Sequence, residues 1–271
     1  MIRFDALALA AAMAGASAGI AFAADAAPPE IKMPEVSVKD ARGWYVRGDV
    51  GYAVNASRTD TRLRAYDPAG GDYSSSSFDS TRFGGDFSGG LGIGYQFNDL
   101  FRADVSGDFF SGDFNGRLSS DSPCSGGAGG TGCSTKARSS FRAGSLMVNG
   151  YVDLGTLAGF TPYVGAGLGA TRVSWNSVNV TGSCLDGASG CGGAASVSAR
   201  YPGESDWRMS YALMAGVAYE VAPNVKVDLG YRFSHIAGGD VFSDSAASAT
   251  TGRDGALSRH EIRVGLRITT W

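Results

Sequence analysis

The sequence lacks the features of several common classes of protein. Its 23 Lys and Arg are balanced by 26 Asp and Glu among 271 residues, so there is no basic excess for binding nucleic acid. Beyond the N-terminal segment, no apolar run approaches the roughly 20 residues of a membrane helix, which excludes helical transporters and channels. Only 2 His and 4 Cys are present, and no two Cys have the spacing of a zinc site. We therefore expect no metal centre and no bound cofactor.

What the sequence has in abundance is glycine. Its 41 Gly are about twice the usual share, yet they show no G-X-Y period, which excludes collagen. Hydrophobic residues make up 44% of the chain, which is too many for a disordered protein. This composition indicates an all-β protein that is rich in glycine and aromatic residues.

The N-terminal region is typical of an exported protein. Arg3 is followed by an Ala- and Leu-rich stretch that ends in A-F-A at residues 21–23. This order of a basic start, an apolar middle and a small-residue end predicts a signal peptide over residues 1–23. Residues 24–41 contain three prolines and no strand or helix pattern, so we predict a linker there. The folded domain is then 42–271.

The four cysteines form two pairs that are close in sequence. Cys124 and Cys133 flank one stretch rich in Ser and Gly, and Cys184 and Cys191 flank another. An exported protein enters an oxidising compartment, in which disulfides persist. We therefore predict two local disulfides, Cys124–Cys133 and Cys184–Cys191, with free thiols as the alternative.

Eight segments alternate between apolar and polar residues with the period of a β-strand. In the first segment, Trp44, Val46 and Val50 lie on one face, whereas Arg47 and Asp49 lie on the other. In each segment one face is apolar, with large and often aromatic residues, and the other is small or charged. The segments are GWYVRGDVGYAVN, FSGGLGIGYQF, FRADVSGDF, SLMVNGYVDL, PYVGAGLGATRV, MSYALMAGVAYEV, VKVDLGYRF and HEIRVGLRIT.

The connections between these segments alternate in length. Three are short, and four are long, polar and rich in Ser, Gly and Asp, at about residues 57–86, 111–138, 176–206 and 235–257. An even strand number with short turns at one end and long loops at the other is typical of outer-membrane barrels. A soluble β-sandwich or lipocalin-like barrel also alternates, but it places charge outside. We favour the membrane barrel because the charges of the polar face can pair in a narrow lumen.

The sequence therefore predicts an all-β protein that forms an eight-stranded antiparallel transmembrane up-and-down β-barrel. Short turns are expected in the periplasm and long loops outside the cell. The linker over residues 24–41 is then periplasmic, and residues 42–271 form the barrel.

Five segments carry a resemblance to a known family: WYVRGDVGYA, GGDFSGGLGIGYQFNDLFRADV, FTPYVGAGLGA, NVKVDLGYRF and SRHEIRVGLRI. Together with the connections between them, they cover residues 43–271. They resemble the small outer-membrane β-barrels of alphaproteobacteria, a porin-like surface-antigen family related to the OmpA-type fold. The resemblance implies a location in the Gram-negative outer membrane, with outer-membrane lipid, lipopolysaccharide and the barrel assembly machinery as partners. It implies no catalytic residues, and pore activity varies within the family.

The C-terminus departs from the family pattern. Family chains usually end on an aromatic residue that continues the lipid-facing alternation and serves as the assembly signal. Here the series from Ile262 to Ile268 would next reach Thr270, whereas the aromatic residue is Trp271. Either a bulge resets the register or the signal is weak.

The charged residues of the polar faces predict a plugged lumen. An eight-stranded interior is just wide enough for side chains, and an unpaired buried charge is costly. We therefore expect these charges to form a connected network of ion pairs. The predicted network consists of Arg47, Asp49, Arg102, Asp104, Asp228, Arg232, Glu261, Arg263 and Arg267.

Three functions are compatible with such a barrel. A structural or surface-interaction role needs only an anchor and displayed loops, and we rank it first. A small-solute porin needs an open lumen, for which eight strands leave little room. A lipid A-modifying enzyme ranks third, because only His235 and His260 could serve it at the rim, with Ser234, Ser258 and Glu261 adjacent. No motif fixes the spacing of these residues, so we predict that the protein is not an enzyme.

Overall fold

Antiparallel β-strands make up the fold seen in the computed structural model. The structure describes residues 42–58, 62–67, 72–84, 87–121, 131–186, 196–243 and 251–270, and the predicted signal peptide and linker lie outside these ranges. The strands are β1 (Gly43–Arg58), β2 (Arg62–Asp67), β3 (Asp72–Ser77), β4 (Ser80–Gly84), β5 (Phe87–Gln96), β6 (Phe101–Ser120), β7 (Cys133–Asp153), β8 (Phe160–Trp175), β9 (Val178–Cys184), β10 (Ser196–Tyr201), β11 (Ser205–Ala222), β12 (Val225–Ile236), β13 (Gly239–Ser243), β14 (Thr251–Asp254) and β15 (Leu257–Thr269).

Eight of these strands close into a ring. The order is β1-β5-β6-β7-β8-β11-β12-β15, and every neighbouring pair is antiparallel. Pairing of β1 with β15, from Tyr45 with Thr269 to Arg58 with Leu257, closes the barrel. The prediction of an eight-stranded up-and-down barrel is confirmed.

The short connections lie together at one end of the barrel, which we call the turn end. Asn98 accepts hydrogen bonds at its Oδ1 from the backbone N–H groups of Leu100 and Phe101, at 2.9 and 2.7 Å. The connection between β11 and β12 is a two-residue turn, Pro223-Asn224, in which Asn224 has a φ of 69°. Asn is among the few residues that adopt this left-handed conformation readily, which suits it to the turn. In outer-membrane barrels such turns face the periplasm.

The opposite end, which we call the loop end, is more structured than we predicted. The four long connections were expected to be loops, but β6 continues to Ser120 and β7 begins at Cys133. The described parts of these connections hold seven further strands: β4 pairs with β6, β9 pairs with β7 and β10, and β13, β14, β2 and β3 form a second sheet. The sequence signal is weak there because most of these strands are short and rich in Ser, Gly and charged residues.

The outer surface of the ring carries an apolar band bounded by aromatic residues. Leu91 is 74% exposed and Leu168 is 66% exposed, as expected of side chains that face lipid. Near the turn end, the ring of Tyr95 contacts those of Trp44 and Phe97 at centroid distances of 5.3 and 5.2 Å. Near the loop end, Tyr52 and Phe87 make a similar contact at 5.3 Å. No helix in the described ranges is long and apolar enough to cross a membrane.

Candidate functional site in the barrel interior

The half of the interior nearer the turn end is filled with paired charges. Arg47 on β1 contacts Asp49 at 2.8 Å from its Nε and Asp104 at 3.1 Å from its Nη1. The hydroxyl of the buried Tyr45 also donates to Asp104, at 3.1 Å, and Arg47 bonds the hydroxyl of Tyr151. These groups come from β1, β6 and β7, so the contacts join opposite parts of the barrel wall across the lumen.

A second group of charges is centred on Asp108. Its two carboxylate oxygens accept hydrogen bonds from Arg263 at 2.7 Å and from Arg232 at 2.9 Å. Arg263 also reaches Glu261 at 3.3 Å, and Arg259 reaches the same carboxylate at 2.9 Å. All of these side chains are buried. Asp108 therefore links the wall formed by β12 and β15 to β6.

Neutral polar residues connect the two groups. The Nδ2 of Asn149 donates to Asp104 at 2.7 Å and to the hydroxyl of Ser106 at 3.0 Å. The Ser106 hydroxyl in turn donates to Asp108 at 3.5 Å. The hydrogen bonds thus run without interruption from Asp104 to Asp108.

Nearest the turn end, two further arginines are held by carboxylates and aromatic rings. Arg102 contacts Asp153 at 3.1 Å, and its guanidinium lies 4.0 Å from the centroid of the Tyr151 ring and 4.8 Å from that of Tyr163. Arg267 lies 3.5 Å from Asp228. A guanidinium over an aromatic face is stabilised further by the negative face of the ring.

The structure places all nine residues of the predicted network on the inner face, each in at least one ion pair. The predicted network lacked three members. Asp108 and Asp153 lie on the polar faces of predicted strands, and extending the recognised segment of β15 by one residue would have found Arg259. The ion pairs of the described lumen join six arginines to six carboxylates, namely Arg47, Arg102, Arg232, Arg259, Arg263 and Arg267 with Asp49, Asp104, Asp108, Asp153, Asp228 and Glu261.

Inward-facing glycines on β8 make room for this network. A Cβ at Gly165 would overlap the ring of Tyr151, and a Cβ at Gly167 would overlap the amide of Asn149. The G-A-G-L-G-A segment therefore lets larger polar side chains of β7 lie against the wall of β8.

The half of the interior nearer the loop end is lined mainly by apolar and aromatic side chains. Phe114 and Trp175 make an edge contact at 6.0 Å, and Phe141 lies 5.0 Å from Trp175. Val241 and Phe242 of β13 pack into the same buried cluster. The reason is that this part of the wall projects beyond the apolar band, so its inner face forms a core like that of a soluble protein.

A buried ion pair fixes the β13–β14 hairpin over the loop end of the barrel. The Nη1 of Arg208 on β11 donates to both carboxylate oxygens of Asp254, each at 2.8 Å. Arg208 also donates to the carbonyl of Asp240, and the Gly239 N–H donates to Asp254 at 2.8 Å. The hairpin is thereby held against the aromatic cluster.

The two histidines lie on the outer face, on the opposite side of the wall from Glu261. The Nδ1 of His235 is 3.1 Å from the Ser258 hydroxyl, and His260 bonds the hydroxyl of Tyr231. Glu261 faces the lumen, where it pairs with arginines. The His–Ser pair therefore has no carboxylate from Glu261 to orient it, which a catalytic triad would require.

Two of the four cysteines lie in the described residues. Cys133 and Cys184 are opposite each other in the register of β7 and β9. Neither of them is a free thiol. Cys124 and Cys191 lie outside the described residues, so the predicted pairing within each loop stays a prediction.

The C-terminal strand keeps a regular register to its end. The pairing of β15 with β1 has no register shift from Ile262 to Thr269. Thr270 follows with an N–H donated to the Trp44 carbonyl, at 3.0 Å. Between Ile262 and Thr269, therefore, no bulge resets the alternation, and Trp271 lies outside the described residues.

The chain is similar to several known proteins. The sequence pattern of the family described as "Outer membrane protein beta-barrel domain" matches residues 6–267. An uncharacterized protein of Brucella melitensis is 30% identical over 249 residues, which are 83% of this chain and 84% of the relative. A protein of Rickettsia bellii named as a candidate adhesin is 27% identical over 198 residues, 70% of this chain and 71% of the relative. The solved structure of Neisserial surface protein A matches with a TM-score of 0.43 and 20% identity, covering 84% of this chain and 97% of that one.

Proposed function

Because this chain belongs to the outer membrane protein β-barrel domain family and lies in the cell outer membrane, we propose that it is a non-enzymatic surface-interaction protein. In this role the barrel is an anchor, and the strands of the loop end are the part that meets other molecules. The relative in Rickettsia bellii that is named as a candidate adhesin supports the proposal.

The observation that carries the proposal is the filling of the barrel interior. Ion pairs fill the half nearer the turn end, and the aromatic cluster with the β13–β14 hairpin fills the half nearer the loop end. A barrel filled in this way has little use as a passage, whereas its loop end offers a broad folded surface. The small-solute porin is therefore the alternative, and the lipid A-modifying enzyme ranks third.

Adherence of cells that express the protein tests the proposal. We expect Escherichia coli cells displaying the full chain to adhere to cultured epithelial cells more than cells with the empty vector. Replacing residues 178–201, which hold the β9–β10 hairpin, with a short Asn-Gly turn should abolish the gain. The control is Asn224→Gly at the turn end, which should adhere like the unchanged protein.

Conductance distinguishes the proposal from the porin. The purified protein in planar bilayers should show no large steady conductance. Absence of any adherence gain, or steady ion conduction by the unchanged protein, would contradict the surface-interaction role, and conduction would favour the porin.

A further inference from the structure

Two arginines lie on the outer wall where the apolar band ends. Arg142 on β7 and Arg172 on β8 are both exposed and face outward. Toward the turn end, the next large outward side chains are Leu146, 59% exposed, and Leu168, 66% exposed. Toward the loop end, polar residues follow on both strands. The two guanidinium groups are therefore placed at the level of the lipid headgroups.

The strand register gathers these arginines and two aromatic residues into one patch. Phe109, Gly144, Arg172 and Trp207 lie opposite one another in a single row across β6, β7, β8 and β11. Arg142 lies in the adjacent row, diagonal to Arg172, and such diagonal neighbours are about 7–8 Å apart. Trp207 is 60% exposed, as is common for an indole at a membrane interface.

Among the described residues, the outward-facing carboxylate nearest to this patch in the strand register is that of Asp113, which lies diagonal to Arg142 and forms no ion pair with it. Within the part of the chain that the structure describes, the ion pairs include neither Arg142 nor Arg172. Their directly opposite neighbours are serine, glycine and Trp207. Two adjacent like charges repel each other, so the patch favours an anion that can contact both guanidinium groups.

A groove lies beside the arginines on the same outer wall. Its volume is about 930 Å³, and its lining includes Arg142, Arg172, Phe109 and Trp207. Asp49 and Asp108 also line it, but their carboxylates pair with arginines of the lumen. Gly144 forms part of its floor, and a Cβ added there would meet no atom within 4 Å. The groove therefore exists because glycine leaves no outward side chain at this position, whereas the neighbouring row carries leucine.

We propose that this patch binds a single anionic glycolipid of the outer leaflet, of the lipopolysaccharide class. Arg142 and Arg172 hold a phosphate of its headgroup, Trp207 lies against its sugar, and an acyl chain occupies the groove over Gly144. Charge complementarity and the position of the patch at the edge of the apolar band carry this assignment. It rests on the location in the outer membrane and not on the surface-interaction role.

Native mass spectrometry of the purified full chain in detergent micelles tests the proposal. The probe is bis-phosphorylated lipid A, and the comparison ligands are dephosphorylated lipid A, phosphatidylcholine and inorganic phosphate. We expect one lipid A to bind, with dephosphorylated lipid A and phosphatidylcholine binding at least tenfold more weakly. Charged hydrogen bonds of this kind correspond to roughly tenfold in affinity for each arginine, so Arg142→Gln and Arg172→Gln should each weaken lipid A binding by that factor.

Variants of the groove test the acyl chain separately from the charge. Gly144→Leu places a side chain in the groove, where an added Cβ meets no atom within 4 Å, and should weaken lipid A binding while leaving its dependence on phosphate unchanged. The matched control is Gly150→Leu on the same strand, where an added Cβ also meets nothing within 4 Å. Arg117→Gln on β6, exposed and far from the groove, is the control for the loss of a positive charge.

Each of three results would overturn the proposal. The first is lipid A binding that is unchanged in the Arg142→Gln, Arg172→Gln double variant. The second is equal weakening by Gly144→Leu and Gly150→Leu. The third comes from competition with inorganic phosphate. It is the finding that phosphate displaces lipid A equally well from the unchanged protein and from the double variant. A shift in gel mobility on heating checks that every variant is folded. Adherence is not a readout here, so failure of this proposal is distinct from failure of the surface-interaction role.

Discussion

The two halves of the barrel interior differ in what fills them, and strand β6 passes through both. From Phe101 to Ser120 it pairs with β7 in an unbroken register. Near the turn end, Asp108 faces inward and Phe109 faces outward; near the loop end, Phe114 faces inward and Asp113 faces outward. The alternation keeps its phase, but the apolar and polar faces exchange places.

The exchange occurs where the wall leaves the lipid. Within the apolar band the outside must be apolar, so charged groups are restricted to the inside and stabilise one another as ion pairs. Beyond the band the outside is in water, and burial of aromatic residues inside becomes the favourable arrangement. Strand β6 is therefore a membrane strand over one part of its length and a soluble-protein strand over the other.

The largest test of this comparison is the removal of Asp108. Asp108→Ala leaves Arg232 and Arg263 without their shared carboxylate, and breaking a buried ion pair costs about 3–5 kcal/mol. Unfolding by guanidinium chloride in micelles should show that the free energy of unfolding falls by this amount. Arg232→Ala should lower it less, because Asp108 keeps its ion pair with Arg263. Neither variant should conduct ions steadily. The exposed Asp113→Ala is the control, and an equal loss in the control would contradict a special role for the interior charges.

A smaller and more local effect is expected from the aromatic half. Phe242 packs in the buried cluster and stacks on Tyr201 at 5.0 Å. Phe242→Ala removes a buried aromatic side chain, which typically costs about 3 kcal/mol. Hydrogen exchange should become faster in β13 and β14 but stay unchanged in β15 near the turn end. The outward-facing Phe109→Ala should leave exchange in the hairpin unchanged. If hydrogen exchange becomes equally faster around the whole ring, the two halves of the barrel unfold together and the comparison is wrong.

The disulfides are expected to matter only at the loop end. Cys133 and Cys184 face each other across β7 and β9, so a direct link between them competes with our prediction of local bridges to Cys124 and Cys191. Peptide mapping without reducing agent should find the two local links. Reduction should leave the heat-induced gel shift of the barrel intact, because the ring pairing carries the fold. A Cys133–Cys184 link would show that the prediction of local closure is wrong.

The smallest effect concerns pH at the loop end. The carboxylate of Asp186 accepts hydrogen bonds from the Thr131 N–H, the Thr131 hydroxyl and the Gly132 N–H, and these bonds lower its pKa below the usual 3.8. A lowered pKa contributes stability above the unfolded pKa that is lost as pH falls through the folded one. Exchange of the Thr131 amide should therefore speed up only below about pH 3.8. Asp186→Asn should abolish that pH dependence, and a step near neutral pH would contradict this assignment.

Much of the ring could be read from the sequence because lipid imposes one rule on every strand. Residues such as Leu91 and Val264 must be apolar, and their neighbours Gly92 and Arg263 must be small or paired. The same rule identified the nine lumen charges. It missed Arg259, which lies directly before the segment that was recognised in β15.

The sequence alone determined the barrel, its strand number and the inward direction of its charges, because period-two alternation against lipid requires no information about distant residues. Only the tertiary structure decided which charges meet, since Asp108 and Arg263 are 155 residues apart and come together only when the ring closes. It also decided that the inner face turns aromatic at the loop end and that Arg142 and Arg172 share one outer patch. Those outcomes depend on how strands are aligned with one another and on where the lipid ends, and neither is encoded in the alternation of a single strand.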